Sequence, residues 1–335
     1  MKGKNRQLVG GGIGFMIFFM ILLGFVSPSL FPPNGVIPLH QTTQHDHLDT
    51  NHIWTRLAIH AGFPGSYNFQ LFADDTVIRA FHHDGVWSSS NGKQWIRTDL
   101  TNIARGQAFL DYVKFKGFIY ALGTFDGNIA RFTQTTQVAR TSDFRSWEIV
   151  ADESDLPCRY FYHPFVFRDK LWIIGGEDAT GKHSDAWVST DAVSWTRIAG
   201  DLPFGKRSGQ RFAAFRDSLY MLAQDVWMSP DGIHWRMLTP KIADGEIFGY
   251  SVEIYDNRIW LIGCNRNGRF RNEVLSSSDG ITWKEQRAPW SPRGGVATCV
   301  FKDQIIMTGG KYGGPGINGQ TEFVYSNDVW SLAKR

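Results

Sequence analysis

The chain has 335 residues, of which 14% are aromatic, including 13 Trp and 25 Phe. A formal net charge of +3, with no long Lys/Arg run, excludes nucleic acid as the main partner. Cys158, Cys264 and Cys299 match no zinc spacing and leave at least one thiol unpaired. Cys264 and Cys299 fall in successive repeats and could meet, but free buried thiols are the simpler reading.

At the N-terminus, Lys2, Lys4 and Arg6 precede the uncharged stretch Leu8 to Val26, and no further Lys or Arg occurs before Arg56. A basic flank before an apolar run keeps the N-terminus in the cytoplasm and sends the downstream chain across the membrane. Nineteen uncharged residues just span a bilayer, whereas the glycine-poor part from Ile13 to Val26 has the length of a signal peptide. Residues 1–26 are therefore expected to be a signal anchor or a signal peptide. In either case the remainder lies outside the cytoplasm, periplasmic or extracellular. Residues 27–52 carry Pro28, Pro32, Pro33 and Pro38, then His40, His45, His47 and His52. They read as an extended tether, with no fixed geometry among the histidines for a metal.

From residue 53 the chain repeats one phrase. It reads GVWSSSNGKQW (85–95), QVARTSDFRSW (137–147), DAWVSTDAVSW (185–195), DVWMSPDGIHW (225–235) and EVLSSSDGITW (273–283). The closing tryptophans Trp95, Trp147, Trp195, Trp235 and Trp283 are 52, 48, 40 and 48 residues apart. A period of roughly 40–50 residues built from strands marks a propeller. Residues 159–198 divide into RYFYHPFVF, LWIIGG, DAWVST and VSWTRI, four strands of one blade. Asn91-Gly92, Asp231-Gly232 and Asp279-Gly280 predict type I′ turns between the third and fourth strands, with the Ser two places earlier bonded to the turn. The closing Trp is expected to cover the sheet surface between blades.

Tight turns recur at FKGFIY (115–120), FRDKLW (167–172), FRDSLY (215–220), YDNRIW (255–260) and FKDQII (301–306). Glycine pairs occur at Gly175-Gly176 and Gly309-Gly310, with Gly123 and Gly263 as degenerate copies. A tight turn, an apolar strand ending in Gly-Gly and a spaced Asp-x-Trp resemble the Kelch repeat of galactose-oxidase-like propellers. The resemblance covers about residues 53–335 and implies an all-β propeller; one fold hosts many activities, so it implies little about function.

DVWSLAKR (328–335) supplies a third strand without a fourth, and HIWTRL (52–57) is an orphan fourth strand with Trp54 in the Trp place. The N-terminal strand is thus expected to complete the last of six blades, removing a free sheet edge. Second-to-third loops and blade-to-blade connections share one face and are long and uneven, as at 123–137, 175–184, 263–272 and 309–327. Variable loops on a rigid scaffold are the usual seat of binding.

On that face, alignment by the first turns puts Arg159, Arg207 and Arg293 at matching places, with Gln107 and Ile247 in blades 2 and 5 and Glu246 beside Ile247. Converging guanidiniums suit a carboxylate or phosphate; the same arginines could equally be struts within the scaffold. A sialidase-like hydrolase is the alternative, with the arginines, Glu246 and either Tyr160 or Tyr250 as its catalytic set. The serine–aspartate turns differ by one residue from the Asp box of that class. Copper chemistry would draw on His82, His83, His163 and His183, spread over two blades, and no Tyr–Cys pair is identifiable. No phosphate loop, Ser-His-Asp context or glycosylation sequon occurs. The expectation is a membrane-tethered, extracytoplasmic six-bladed propeller that binds a protein or glycan on its long-loop face. No cofactor and no metal are expected.

Overall fold

The computed structural model describes residues 51–335, apart from Asn68, His83 and residues 101–102, 104–108, 126–134 and 316–320. The expected segment 1–26, most of the tether and Gln107 lie outside the described residues. Among the described residues every regular element is a strand, and no helix is long and apolar enough to cross a membrane.

The strands form six antiparallel blades. From inner to outer strand, blade 1 is Gln70–Ala73, Ile78–His82, Gly85–Ser89 and Ile96–Arg97. Blade 2 is Phe109–Phe115, Phe118–Thr124, Gln137–Thr141 and Glu148–Ala151. Blade 3 is Phe165–Phe167, Lys170–Ile174, Ala186–Ser189 and Trp195–Ala199, and blade 4 is Arg211–Phe215, Ser218–Leu222, Val226–Ser229 and Arg236–Thr239. Blade 5 is Ser251–Tyr255, Arg258–Arg266, Arg269–Ser277 and Lys284–Arg287. Blade 6 takes Gly294–Val300, Ile305–Pro315 and Val329–Lys334 from the C-terminal part of the chain, and its outer strand is His52–Ala58.

The closure is the one the repeat pattern requires. His52 pairs with Lys334, Trp54 with Leu332 and Thr55 with Ser331. Trp54 packs edge-on against Trp290 at 5.8 Å, within the cluster formed by Trp260, Val296, Met307 and Leu332. His52 also belongs to this strand. It is buried, 3.0 Å from Asp256 and edge-on to Trp260. Inner strands meet their neighbours around the ring, including Gly294–Val300 against Gln70–Ala73. Blades 1 and 2 join through Phe81, which touches Tyr112 and Trp147.

Each closing Trp packs against the preceding blade, which supplies the hydrophobic cement between sheets. Trp195 of blade 3 joins Val113, Leu122 and Val138 of blade 2, and Trp235 of blade 4 joins Trp172 and Ile174 of blade 3. Its indole stays satisfied: Nε1 of Trp95, Trp195 and Trp235 donates to the carbonyl three residues earlier, at 2.8–3.0 Å. Trp283 does the same at 3.3 Å.

The third-to-fourth turns differ from expectation. Type I′ geometry needs two consecutive residues with positive φ, and that occurs at the first-to-second turns: Lys116-Gly117, Arg168-Asp169, Arg216-Asp217, Asp256-Asn257 and Lys302-Asp303. At the third-to-fourth turns only one residue is left-handed, Gly92, Gly232 or Gly280. There the side chains hold the backbone. Ser229 Oγ accepts from the amides of Asp231 and Gly232, and Asp231 Oδ1 accepts from those of Ile233 and His234. The same set recurs at Ser277/Asp279. Glycine is required twice over at position 232: φ is +83°, and a Cβ would sit 2.5 Å from the Trp172 ring of the preceding blade.

Two further segments differ from the sequence expectation. In 159–167 only Phe165–Phe167 is strand, because Phe161 turns left-handed (φ 55°) and Tyr160 bridges to Glu177. The loop 175–184 contains a small hairpin, Glu177–Asp178 with Gly181–Lys182.

Candidate functional site

Arg159, Arg207 and Arg293 occupy equivalent places, and each guanidinium is held inside its own blade. Arg159 Nη1 and Nη2 donate to the two carboxylate oxygens of Asp185 at 2.5 and 2.8 Å, and Nη1 also reaches the Gly175 carbonyl at 3.0 Å. Arg207 forms the same fork on Asp225, at 2.7 and 3.4 Å. Arg293 forms it on Asp328, at 2.5 and 3.1 Å, with Gly309 O at 3.2 Å. Each aspartate begins an Asp-x-Trp, and the Trp Nε1 donates back to it: Trp187 to Asp185 at 2.8 Å, Trp227 to Asp225 at 2.7 Å and Trp330 to Asp328 at 2.8 Å. Burial pushes the Asp185 carboxyl up, but the Arg159 hydrogen bonds and charge, with the Trp187 hydrogen bond, together keep it below the usual carboxylate range. The Gly-Gly pair belongs to the same unit, since its left-handed backbone aims a carbonyl at the arginine. Geometrically this Arg–Asp–Trp unit is a strut.

The other sequence candidates are dispersed. Tyr250 is buried, and its hydroxyl donates to the Ala223 carbonyl of the preceding blade at 3.0 Å; burial raises its pKa. Tyr162 and Gln210 make the same inter-blade bond, to Leu122 O at 3.2 Å and Ile174 O at 2.9 Å. Glu246 is exposed and tied through its backbone to Asn267. Tyr160 is half-buried beside Glu177, and burial followed by Glu177 raises its pKa. His183 is held by Asp178 at 2.8 Å, while His82 is buried against Trp87. Among the described residues no group of three His, Cys, Asp or Glu could hold a metal ion. All three cysteines are free and buried.

A polar layer that the sequence expectation missed lies four residues past the arginine place in five of the six blades. It comprises Gln70, Asp111, His163, Arg211 and Ser251, and blade 6 has the buried Ala297 at that place. Three of these are linked. Arg211 Nη1 hydrogen-bonds His163 Nδ1, and Asp111 Oδ1 stands 3.5 Å from the same nitrogen. Arg211 Nε donates to the Tyr250 carbonyl at 3.2 Å. Solvent still reaches 25% of the His163 side chain and 20% of that of Asp111. Burial, followed by the Arg211 charge, lowers the His163 pKa; burial also lowers that of Arg211, to about 10. The signal is present in the repeat alignment, because each residue sits four past the arginine place. The residue types share no identity, however, so no motif announces them.

Two places beyond Ser251, Glu253 accepts from Thr298 Oγ1 at 2.6 Å, and burial raises its carboxyl pKa to about 7. Its folded pKa therefore exceeds the unfolded value of about 4.3. Stability is lost as pH rises from there through about 7. Glu253→Gln should stabilise the protein by roughly 1–3 kcal/mol near pH 8 and change little near pH 4.5. Urea melts at both pH values check this; an equal difference at the two would contradict it.

No protein-family model matches the chain, and a search of the curated proteins finds no match.

Proposed function

We propose that this propeller is an extracytoplasmic binding module of the Kelch type, held at a membrane by residues 8–26, that seats a protein or glycan on its long-loop face. The observation that carries the reading is the difference between the two faces. One face is made of the five two-residue turns and the side-chain-locked Ser–Asp turns, which leave little adaptable surface. The other carries extended hairpins, Arg258–Arg266 with Arg269–Ser277 and Ile305–Pro315 with Thr321–Tyr325.

The long-loop face also concentrates aromatic rings. Tyr67 and Tyr325 stack at 5.6 Å, the Lys311 ammonium lies 4.3 Å from the Tyr67 ring, and Phe270 meets Phe323 edge-on. Tyr325 is 43% exposed and Phe248 39%. Aromatic residues with a polar edge suit both sugar faces and protein loops.

The test is a binding screen of the full chain in detergent against glycans and cell-surface extracts. Tyr325→Ala and Phe248→Ala should weaken any specific ligand at least about tenfold, the scale of a contact worth more than about 1.4 kcal/mol. Lys116→Ala and Arg168→Ala, on the short-turn face, should not. The opposite pattern would reverse the face assignment. For the tether, external protease should digest the propeller and spare residues 1–7; a protected C-terminus would overturn the topology.

A further inference from the structure

One nitrogen in the polar layer has two claimants. His163 Nδ1 receives Arg211 Nη1, so in the neutral ring it is the acceptor and the proton sits on Nε2. Asp111 Oδ1, 3.5 Å from that same nitrogen, is also an acceptor and meets no proton there. Protonation inverts the preference. An imidazolium carries N–H at both positions, so Nδ1 repels the Arg211 donor and turns to Asp111.

Arg211 would then keep only its Nε bond to the Tyr250 carbonyl, with its Nη fork released. The charge balance changes with it. With His163 neutral, Asp111 and Arg211 cancel; one added proton leaves the cluster with a net positive charge. A carboxylate restores neutrality and matches a guanidinium fork in two parallel hydrogen bonds.

We propose that this layer is a proton-gated site for a small carboxylate group, in which protonated His163 swings to Asp111 and releases Arg211 to the ligand. The groups facing His163 are Asp111 on the blade 2 inner strand and Arg211 on the blade 4 inner strand. Tyr162 stands beside it on its own segment, and Tyr250 lies behind Arg211. The partial exposure of His163 and Asp111 provides access for a small ion. The site does not depend on which face of the propeller binds a larger partner.

The switch and the ligand are coupled by linkage. A carboxylate that prefers the protonated state must raise the pH at which His163 titrates. The experiment uses the full chain in detergent micelles with labelled histidine, the His163 signal being assigned by its loss in His163→Gln. Titrations between about pH 5 and pH 8 are run in sodium formate and in sodium chloride at matched ionic strength. Formate should raise the His163 midpoint by about 0.5 unit or more, which is about threefold tighter binding to the protonated form. Arg211→Gln should abolish the difference between the salts. Should that variant fail to fold, Asp111→Asn serves as the second: without its carboxylate charge the protonated ring loses its counter-ion, so the His163 midpoint drops and the formate shift shrinks. A wild-type midpoint identical in the two salts, or a His163 that titrates in neither, would overturn the proposal.

Discussion

Removal of residues 51–58 should abolish cooperative unfolding and drive the protein to aggregate. That segment is the outer strand of blade 6, paired with Val329–Lys334 along its length. Without it the edge of Val329–Lys334 is left unpaired, a template for association with other chains. Trp54 would leave the cluster it shares with Trp290, Trp260 and Leu332. Loss of a packed Trp alone costs about 3–5 kcal/mol, against a total stability of roughly 5–15 kcal/mol for a folded protein. Trp54→Ala should therefore lower the melting temperature sharply while leaving a folded ring, and the deletion should leave none. Thermal melts followed by near-UV circular dichroism, with light scattering for aggregation, separate the two. A deletion that melts like the wild type would show that the strand is dispensable.

The second large effect belongs to the arginine struts. Arg159→Gln and Arg293→Gln should each cost about 3–5 kcal/mol, because a buried carboxylate loses its counter-ion. Both side chains are almost fully enclosed, at 4% and 2% exposure, and so is Asp185 at 5%. Arg207 itself keeps 23% exposure, whereas Asp225 at 16% and Asp328 at 18% are enclosed alike, so water already screens part of the Arg207 interaction and Arg207→Gln should cost less. The order Arg159 and Arg293 above Arg207 is as informative as the size. Urea denaturation of the single variants reads both. Three unchanged midpoints would mean that the forks on Asp185, Asp225 and Asp328 do not stabilise the blades.

Much of this fold is legible in the sequence. The Trp spacing locates the blades because each indole plugs the gap to the preceding sheet, so one recurs in every blade although the loops between them differ in length. The closure by Trp54 is legible for the same reason: an unpaired outer strand and an incomplete blade imply one another. The turn types are not, because Asp-Gly has the same dihedral preferences whether a hairpin or a side-chain scaffold uses it. Ser229 and Asp231 decide the matter by capturing four backbone amides, which no dihedral preference encodes. The site is only partly legible. Aligning the blades finds Arg159, Arg207 and Arg293, and the partner aspartates are visible in Asp-x-Trp, but contact between the two is a matter of three-dimensional packing. His163, Arg211 and Asp111 share a level and no chemistry, so repeat comparison passes over them. Glu253 is an ordinary glutamate in sequence, and only its enclosure beside Thr298 raises its pKa.

The two faces and the polar layer all depend on one register: the N-terminal strand running antiparallel to Val329–Lys334 within a single chain. Thr55 and Ser331 are direct partners in that ladder. Partners across an antiparallel pair have Cα atoms about 4.5–5.5 Å apart, within the span a disulfide bridges. The double variant Thr55→Cys/Ser331→Cys should therefore form an intrachain disulfide under mild oxidation, seen as a faster-migrating monomer on non-reducing gels, and should melt at a higher temperature than its reduced form. The buried thiols of Cys158, Cys264 and Cys299 should stay unreacted in the folded protein. Failure to cross-link, or cross-linking only between chains, would contradict the closed six-bladed ring.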